Sequence, residues 1–176
     1  RIYHYNNPEL IVYNIKGKSV VGLVNTEKTI IFSDQKITAG EKDFFINNYL
    51  IKKNNREYCI FNYDTAVCGD NYCSAPVLTG SCMLGFIEKR VFVINEPIIY
   101  GESKGKIRCD LLIITSRYHG DIKTIAGLID FEKIIFDSSV GYRDKNKWIQ
   151  ECSILGIDYH DTAKEAFVYP LAYPKL

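Results

Sequence analysis

The sequence predicts an α/β fold, α+β in its arrangement: an N-terminal antiparallel meander and hairpin joined to a C-terminal βαβαβ unit. Three observations carry this. First, Cys109-Asp-Leu-Leu-Ile-Ile-Thr115 and Lys133-Ile-Ile-Phe-Asp137 are near-continuous apolar runs of strand length, the pattern of strands covered on both faces. Second, Ile122, Ile125, Ala126 and Ile129 fall at helical spacing between them, and Trp148, Ile149, Cys152 and Leu155 repeat it before Gly156. Strands joined by a helix form a parallel crossover, so residues 109–169 read as strand, helix, strand, helix, strand. Third, Leu10-Ile-Val-Tyr-Asn-Ile15, Ser19-Val-Val-Gly-Leu-Val24 and Thr29-Ile-Ile-Phe-Ser33 are β-rich runs separated by polar turns.

The remaining elements follow in order. Thr38-Ala-Gly-Glu41 has the capping-box form, which predicts a helix with Phe44, Phe45, Tyr49 and Leu50 on its apolar face and an end in the polar residues 52–56. A strand is expected over residues 58–63, and a Gly/Asp/Asn/Pro-rich loop over 68–76. Ser81-Cys-Met-Leu-Gly-Phe-Ile87 and Arg90-Val-Phe-Val-Ile-Asn95 predict a hairpin turning at Glu88-Lys89 and extending the sheet. Residues 101–106 form a polar loop without the composition shift of a domain boundary, and the Pro/Tyr-bearing tail is irregular beyond Leu171.

A chain of 176 residues, 47% hydrophobic and 24% charged, suits one domain, residues 1–176, with a sizeable core. Lys plus Arg total 22 against 21 for Asp plus Glu, so no global field draws the chain to nucleic acid or anionic lipid, and any basic surface is local. No apolar run approaches the roughly 20 residues of a membrane span, and no signal-peptide pattern is present. The start at Arg1 reads as the edge of a soluble fragment. The six cysteines (Cys59, Cys68, Cys73, Cys82, Cys109 and Cys152) fall mostly in apolar runs, which predicts buried thiols. Cys68 and Cys73 flank a turn-like segment and could pair in an oxidising compartment; the absence of a Cys-x-x-Cys pair or a nearby histidine argues against zinc.

The order of elements, meander first and alternating strands and helices last, resembles the metallo-β-lactamase fold in a reduced form, and specifically the C-terminal soluble domain of ComEC-family competence proteins. Residues 12–21 and Thr29-Ile-Ile-Phe-Ser-Asp34 occupy the place of that family's opening strand, polar turn and hairpin. Residues 86–96 resemble its hairpin ending in Gly-Asp, and residues 109–120 its apolar strand ending in a His-His-Gly-Ser motif. Residues 133–142, 148–156, and 157–161 with 166–168 follow its last strand, helix and strand. The resemblance implies a membrane protein of the bacterial cell membrane that admits transforming DNA. It also implies as partners the membrane-embedded remainder of the same protein and single-stranded DNA.

The metal-binding motifs of the fold are where this chain departs. Two divalent ions need several nitrogen and oxygen ligands converging from loop ends. The chain has three histidines, His4, His119 and His160, and lacks the His-x-His-x-Asp-His cluster. The resemblance makes Asn95, Glu96, His119, Gly120, Asp137 and Arg143 vestigial active-site positions, with no catalytic residue, no metal and no cofactor expected. Other readings stay open on the residues. Glu96, His119 and Asp137 could form a reduced one-metal site of a phosphodiesterase or nuclease. Asp130, His119 and Ser139 could be imagined as a hydrolytic triad. Asp137-Ser-Ser139 with Gly141 could hold phosphate on backbone N–H groups. Lys16, Lys18, Arg117, Arg143, Lys145 and Lys147, interleaved with Tyr118, Tyr142 and Trp148, could contact single-stranded DNA. A protein-interaction module is the remaining alternative.

Overall fold

The computed structural model describes residues 8–25, 28–55, 57–70, 72–78, 81–96 and 105–171. His4, the loop residues 101–104 and the tail beyond Leu171 lie outside the described residues. The predicted meander is present as β1 (Glu9–Val12), β2 (Val20–Val24) and β3 (Thr29–Ser33), antiparallel in sequence order. A helical segment then leads to β4 (Tyr58–Asn62), which joins β3 in parallel. The closing strand, β14 (Phe167–Pro170), returns to pair with β1, giving a five-stranded sheet in the order β14-β1-β2-β3-β4.

The second sheet has seven strands in the order β13-β12-β10-β8-β7-β6-β5. Its members are β5 (Val67–Gly69), β6 (Tyr72–Leu78), β7 (Ser81–Phe86), β8 (Lys89–Ile94), β10 (Leu111–Ile114), β12 (Lys133–Phe136) and β13 (Tyr159–Asp161). β9 (Ile107–Arg108) and β11 (Ile129–Asp130) make a separate short pair. Cys109 and Asp110, expected to open the strand over 109–115, thus precede β10, because their backbone N–H groups bond instead to Asp130 O (2.9 Å) and Arg90 O (2.8 Å).

Alternation along the central strands explains their all-apolar sequences. Val91, Val93, Leu111, Ile113 and Ile135 face the first sheet and pack on Leu10, Val12, Val21 and Phe32. Their neighbours Phe92, Ile94, Leu112, Ile114, Ile134 and Phe136 face α3 (Ile122–Leu128) and α4 (Tyr142–Leu155), meeting Ile122, Ile125, Trp148 and Cys152. A third cluster packs Ile11, Tyr13, Ile15 and Ile31 against Ile46 and Leu50 of the helical segment. The result is a sandwich of two sheets with a helical layer outside each, the lactamase-like α+β architecture that the sequence predicts. Gly156 ends α4 with φ of 67°, a left-handed cap that spares a Cβ clash.

Three expectations change. The helix predicted from the capping box begins as α1 (Ala39–Glu41), with Thr38 and Glu41 bonded reciprocally, but continues as a π-helical turn over Lys42–Asn47 before α2 (Asn48–Lys52). The wider turn rotates the face, so Ile46 is buried and Phe44, expected inside, is 67% exposed. The predicted loop over 68–76 is instead the β5–β6 hairpin, in which ladder pairing overrides turn-rich composition. Cys68 and Cys73 are accordingly exposed, whereas Cys82, Cys109 and Cys152 are buried as expected. The β7–β8 hairpin turns one residue early, at Ile87 and Glu88, both at positive φ (46° and 64°), and Lys89 opens β8.

Candidate functional site

β8, β10, β12 and β13 run parallel, with Ile94, Ile114, Phe136 and Asp161 in register. One rung further, backbone bonds continue from Thr115 N to Ile94 O (3.2 Å), Asp137 N to Ile114 O (3.2 Å) and Thr162 N to Phe136 O (3.0 Å). The carboxyl ends of the strands therefore present Asn95, Thr115, Asp137 and Thr162 side by side, at the edge where open α/β sheets place ligands. All four are buried.

These side chains are satisfied mainly by one another. Thr115 Oγ1 donates to Asn95 Oδ1 at 2.9 Å, and Asn95 N donates to Ser81 Oγ at 3.3 Å. Ser138 Oγ donates to Asn14 Oδ1 at 3.0 Å and meets Thr162 Oγ1 at 3.0 Å. Ser139 donates its N–H (2.9 Å) and its hydroxyl to Asp137 Oδ1, while its Oγ accepts from Ser116 N at 2.9 Å. From the facing sheet, Gly17 N donates to Ser138 O at 3.0 Å and seats the Lys16–Lys18 turn on the pit.

Asp137 is fully buried, and its Oδ2 has no hydrogen-bond partner. The Ser19 hydroxyl is near enough to favour its ionised form, but makes its close contact, 3.0 Å, with Tyr63 Oη. Burial dominates: it pushes the Asp137 carboxyl up to about 7, with the Asp34 charge adding to the rise and the Ser139 and Ser19 groups opposing it. Burial likewise drives the Tyr63 phenol well above its ordinary value.

The structure brings only part of the predicted set together. Asn95 and Asp137 line the pit; Glu96 is half-buried beside it, and His119 and Arg143 are exposed. Gly120 serves packing: a Cβ there would lie 2.0 Å from Tyr118 Oη, and its carbonyl accepts from Trp148 Nε1 at 3.0 Å. Among the described residues no three His, Cys, Asp or Glu side chains are grouped so as to hold a metal ion, so Glu96, His119 and Asp137 do not converge as the one-metal reading requires. A lining of hydroxyls and amides around one carboxyl does not fit the dinuclear centre of the fold's enzymes either. The imagined triad fails because Ser139 is bonded to Asp137, while Asp130 sits at the opposite, amino end of β10, where its carbonyl accepts from Cys109 N. The phosphate-loop reading fails because Ser139 N and Val140 N are both spent on Asp137.

Of the basic residues, Lys145 is corrected outright: it is buried and ion-paired with Asp161 at 3.0 Å. Lys18 is held by Glu41 (2.5 Å) and Lys36 O (2.8 Å), and Lys147 pairs with Glu151 at 3.7 Å. Trp148 and Tyr118 are core residues, Trp148 stacking on Phe136, which leaves Tyr142, 79% exposed, as the accessible ring of the three. Lys16, Arg117 and Arg143 are exposed and surround one loop: Gly17 bonds to Ser138, Ser116 bonds to Ser139, and Arg143 lies in the first turn of α4 just beyond. The polar partners Asn14, Ser19, Tyr63, Ser81 and Thr162 were not expected at a site; short polar residues at strand ends are their only signal in the sequence.

A family profile described as the ComEC C-terminal domain matches residues 10–171. No curated protein matches the chain.

Proposed function

Because the chain belongs to the ComEC C-terminal domain family, which points to a role in competence DNA uptake, we propose that it is a non-catalytic, lactamase-fold domain of a bacterial membrane protein, with a structural or DNA-contacting task. The observation that carries this reading is the strand-end pit, where hydroxyls and amides bond to one another and, among the described residues, no three His, Cys, Asp or Glu side chains are grouped. Among the described residues no helix is long and apolar enough to cross a membrane. The membrane anchor of this reading is therefore the remainder of the parent protein.

Contact with single-stranded DNA would use Lys16, Arg117 and Arg143, with Tyr142 as a stacking ring, since these project around the Ser138–Ser139 loop. Three phosphate contacts give log K a slope of about −2 against log salt for a single strand. Two measurements test the proposal. Elemental analysis of protein purified without chelator should find no stoichiometric zinc, manganese or iron. Hydrolysis of single-stranded DNA that depends on such a metal and vanishes on Glu96→Gln or His119→Ala would overturn the non-catalytic reading. Fluorescence anisotropy with a labelled oligonucleotide should show binding that Arg117→Ala/Arg143→Ala weakens; no binding at low salt would leave the structural task alone.

A further inference from the structure

Cys68 and Cys73 are direct register partners on the antiparallel β5–β6 hairpin, and directly opposed residues place their side chains on one face. That face is bare. The helices cover the sheet over β8, β10 and β12, whereas the outward residues of β5 and β6 lie beyond them, and both thiols are exposed. The neighbouring Cys68 thiol is the first cause that pushes the Cys73 thiol up, before burial. Opposed strand residues have Cα atoms about 4.5–5.5 Å apart, inside the roughly 4.4–6.8 Å window of a disulfide.

The same row continues from Cys73 to Gly85 and on to exposed Arg90. Gly85 presents no side chain, so the flank of Cys73 opens into a groove of about 640 Å³, lined also by Gly69, Tyr72 and Arg90. A small co-reactant can enter there; Arg90 and Lys89 line the groove together with the acidic Asp70 and Glu88, so its lining carries both signs of charge. Cys82, Cys109 and Cys152 differ in place and in cause: they are buried, and burial pushes their thiols up to about 12, 12 and 11, whereas it is chiefly the neighbouring Cys68 that raises Cys73.

We propose that Cys68 and Cys73 are a reversible dithiol–disulfide pair, oxidised by exchange with a small disulfide of the glutathione type. One protein thiolate attacks a sulfur of the oxidant and expels the first thiolate. The other protein thiolate then attacks the protein sulfur of the mixed disulfide and expels the second. Two protein thiols lose two electrons, the oxidant becomes two thiols, and the two protons pass to these leaving groups.

The test equilibrates the reduced protein with mixtures of reduced and oxidised glutathione, blocks free thiols with N-ethylmaleimide, and cleaves with an aspartate-specific protease, which cuts before Asp70 and separates the two cysteines. Concerted loss of alkylation at Cys68 and Cys73, with the two fragments held together until reductant is added, is the expected result. Cys68→Ser should trap glutathione on Cys73, which reads the exchange step even if the bridge is fast. Full alkylation at ratios that oxidise a free dithiol, glutathione retained on both cysteines without a bridge, or bridging of either to Cys59 would overturn the proposal.

Discussion

Asp137→Asn should abolish a pH dependence of stability that the native protein carries. The carboxyl has an ordinary value of 3.8 and is pushed up to about 7 in the folded chain, by burial before any other cause. Here the folded pKa is raised, so the folded state binds the extra proton: below the ordinary value both states are protonated and burial costs little. Between about pH 4 and pH 7 the unfolded chain ionises while the folded one does not, and stability falls as pH rises. Each unit is worth about 1.4 kcal/mol, so the loss between about pH 5 and pH 7 is on the order of 3 kcal/mol, after which the curve flattens. The carboxylates held low by partners, Glu41 by Lys18 first and Asp121 by Thr124 first, act in the opposite direction and below about pH 4, outside this window. An asparagine keeps the oxygen that accepts from Ser139 and cannot ionise. Urea titrations of both proteins from about pH 5 to pH 8 should therefore give a falling curve for the native chain and a flat one for the variant. Parallel curves would refute the reasoning.

Gly120→Ala should destabilise by about 1–3 kcal/mol, since the added Cβ meets the Tyr118 ring that packs on Trp148; near-ultraviolet dichroism reports the indole, and an unchanged spectrum with unchanged stability would contradict the packing role. Lys145→Met should cost about 3–5 kcal/mol by leaving Asp161 buried beside only its Ala163 N–H, read as a lower urea midpoint, while a loss of DNA affinity without loss of stability would restore the DNA-binding reading of this lysine. Glu88→Gly should stabilise by about 1 kcal/mol, because an L-residue held at φ 64° in the β7–β8 turn costs about that much; thermal melting checks it.

Elements with one strong period were legible in the sequence. β8, β10 and β12 are apolar throughout because each side chain finds a core, one between the sheets and one under α3 and α4. The capping box at Thr38 and the glycine after α4 likewise act locally, and both are where the sequence puts them. What stayed hidden was set by distant partners. The π-helical turn that exposes Phe44 and buries Ile46 is fixed by packing on β1 to β3, and the 68–76 hairpin is fixed by pairing with β7. At the site, charge type alone could not tell Lys145 from Arg143, because the distinction lies in Asp161, sixteen positions away in sequence, reaching the buried lysine.

The pit poses an electrostatic question that its composition answers. A buried carboxyl can be relieved by a cation or by a proton. The buried lysine nearest in kind, Lys145, is committed to Asp161, and the charge that acts most clearly on Asp137 is the like charge of Asp34. Among the described residues burial outweighs the hydrogen bonds that favour the charged form, so the folded chain keeps the proton up to about pH 7. The exposed cations Lys16, Arg117 and Arg143 surround the same loop but face solvent, where they neutralise nothing within the pit. Lys16, Arg117 and Arg143 therefore stay on the rim of the loop, and the interior is left to hydrogen bonding.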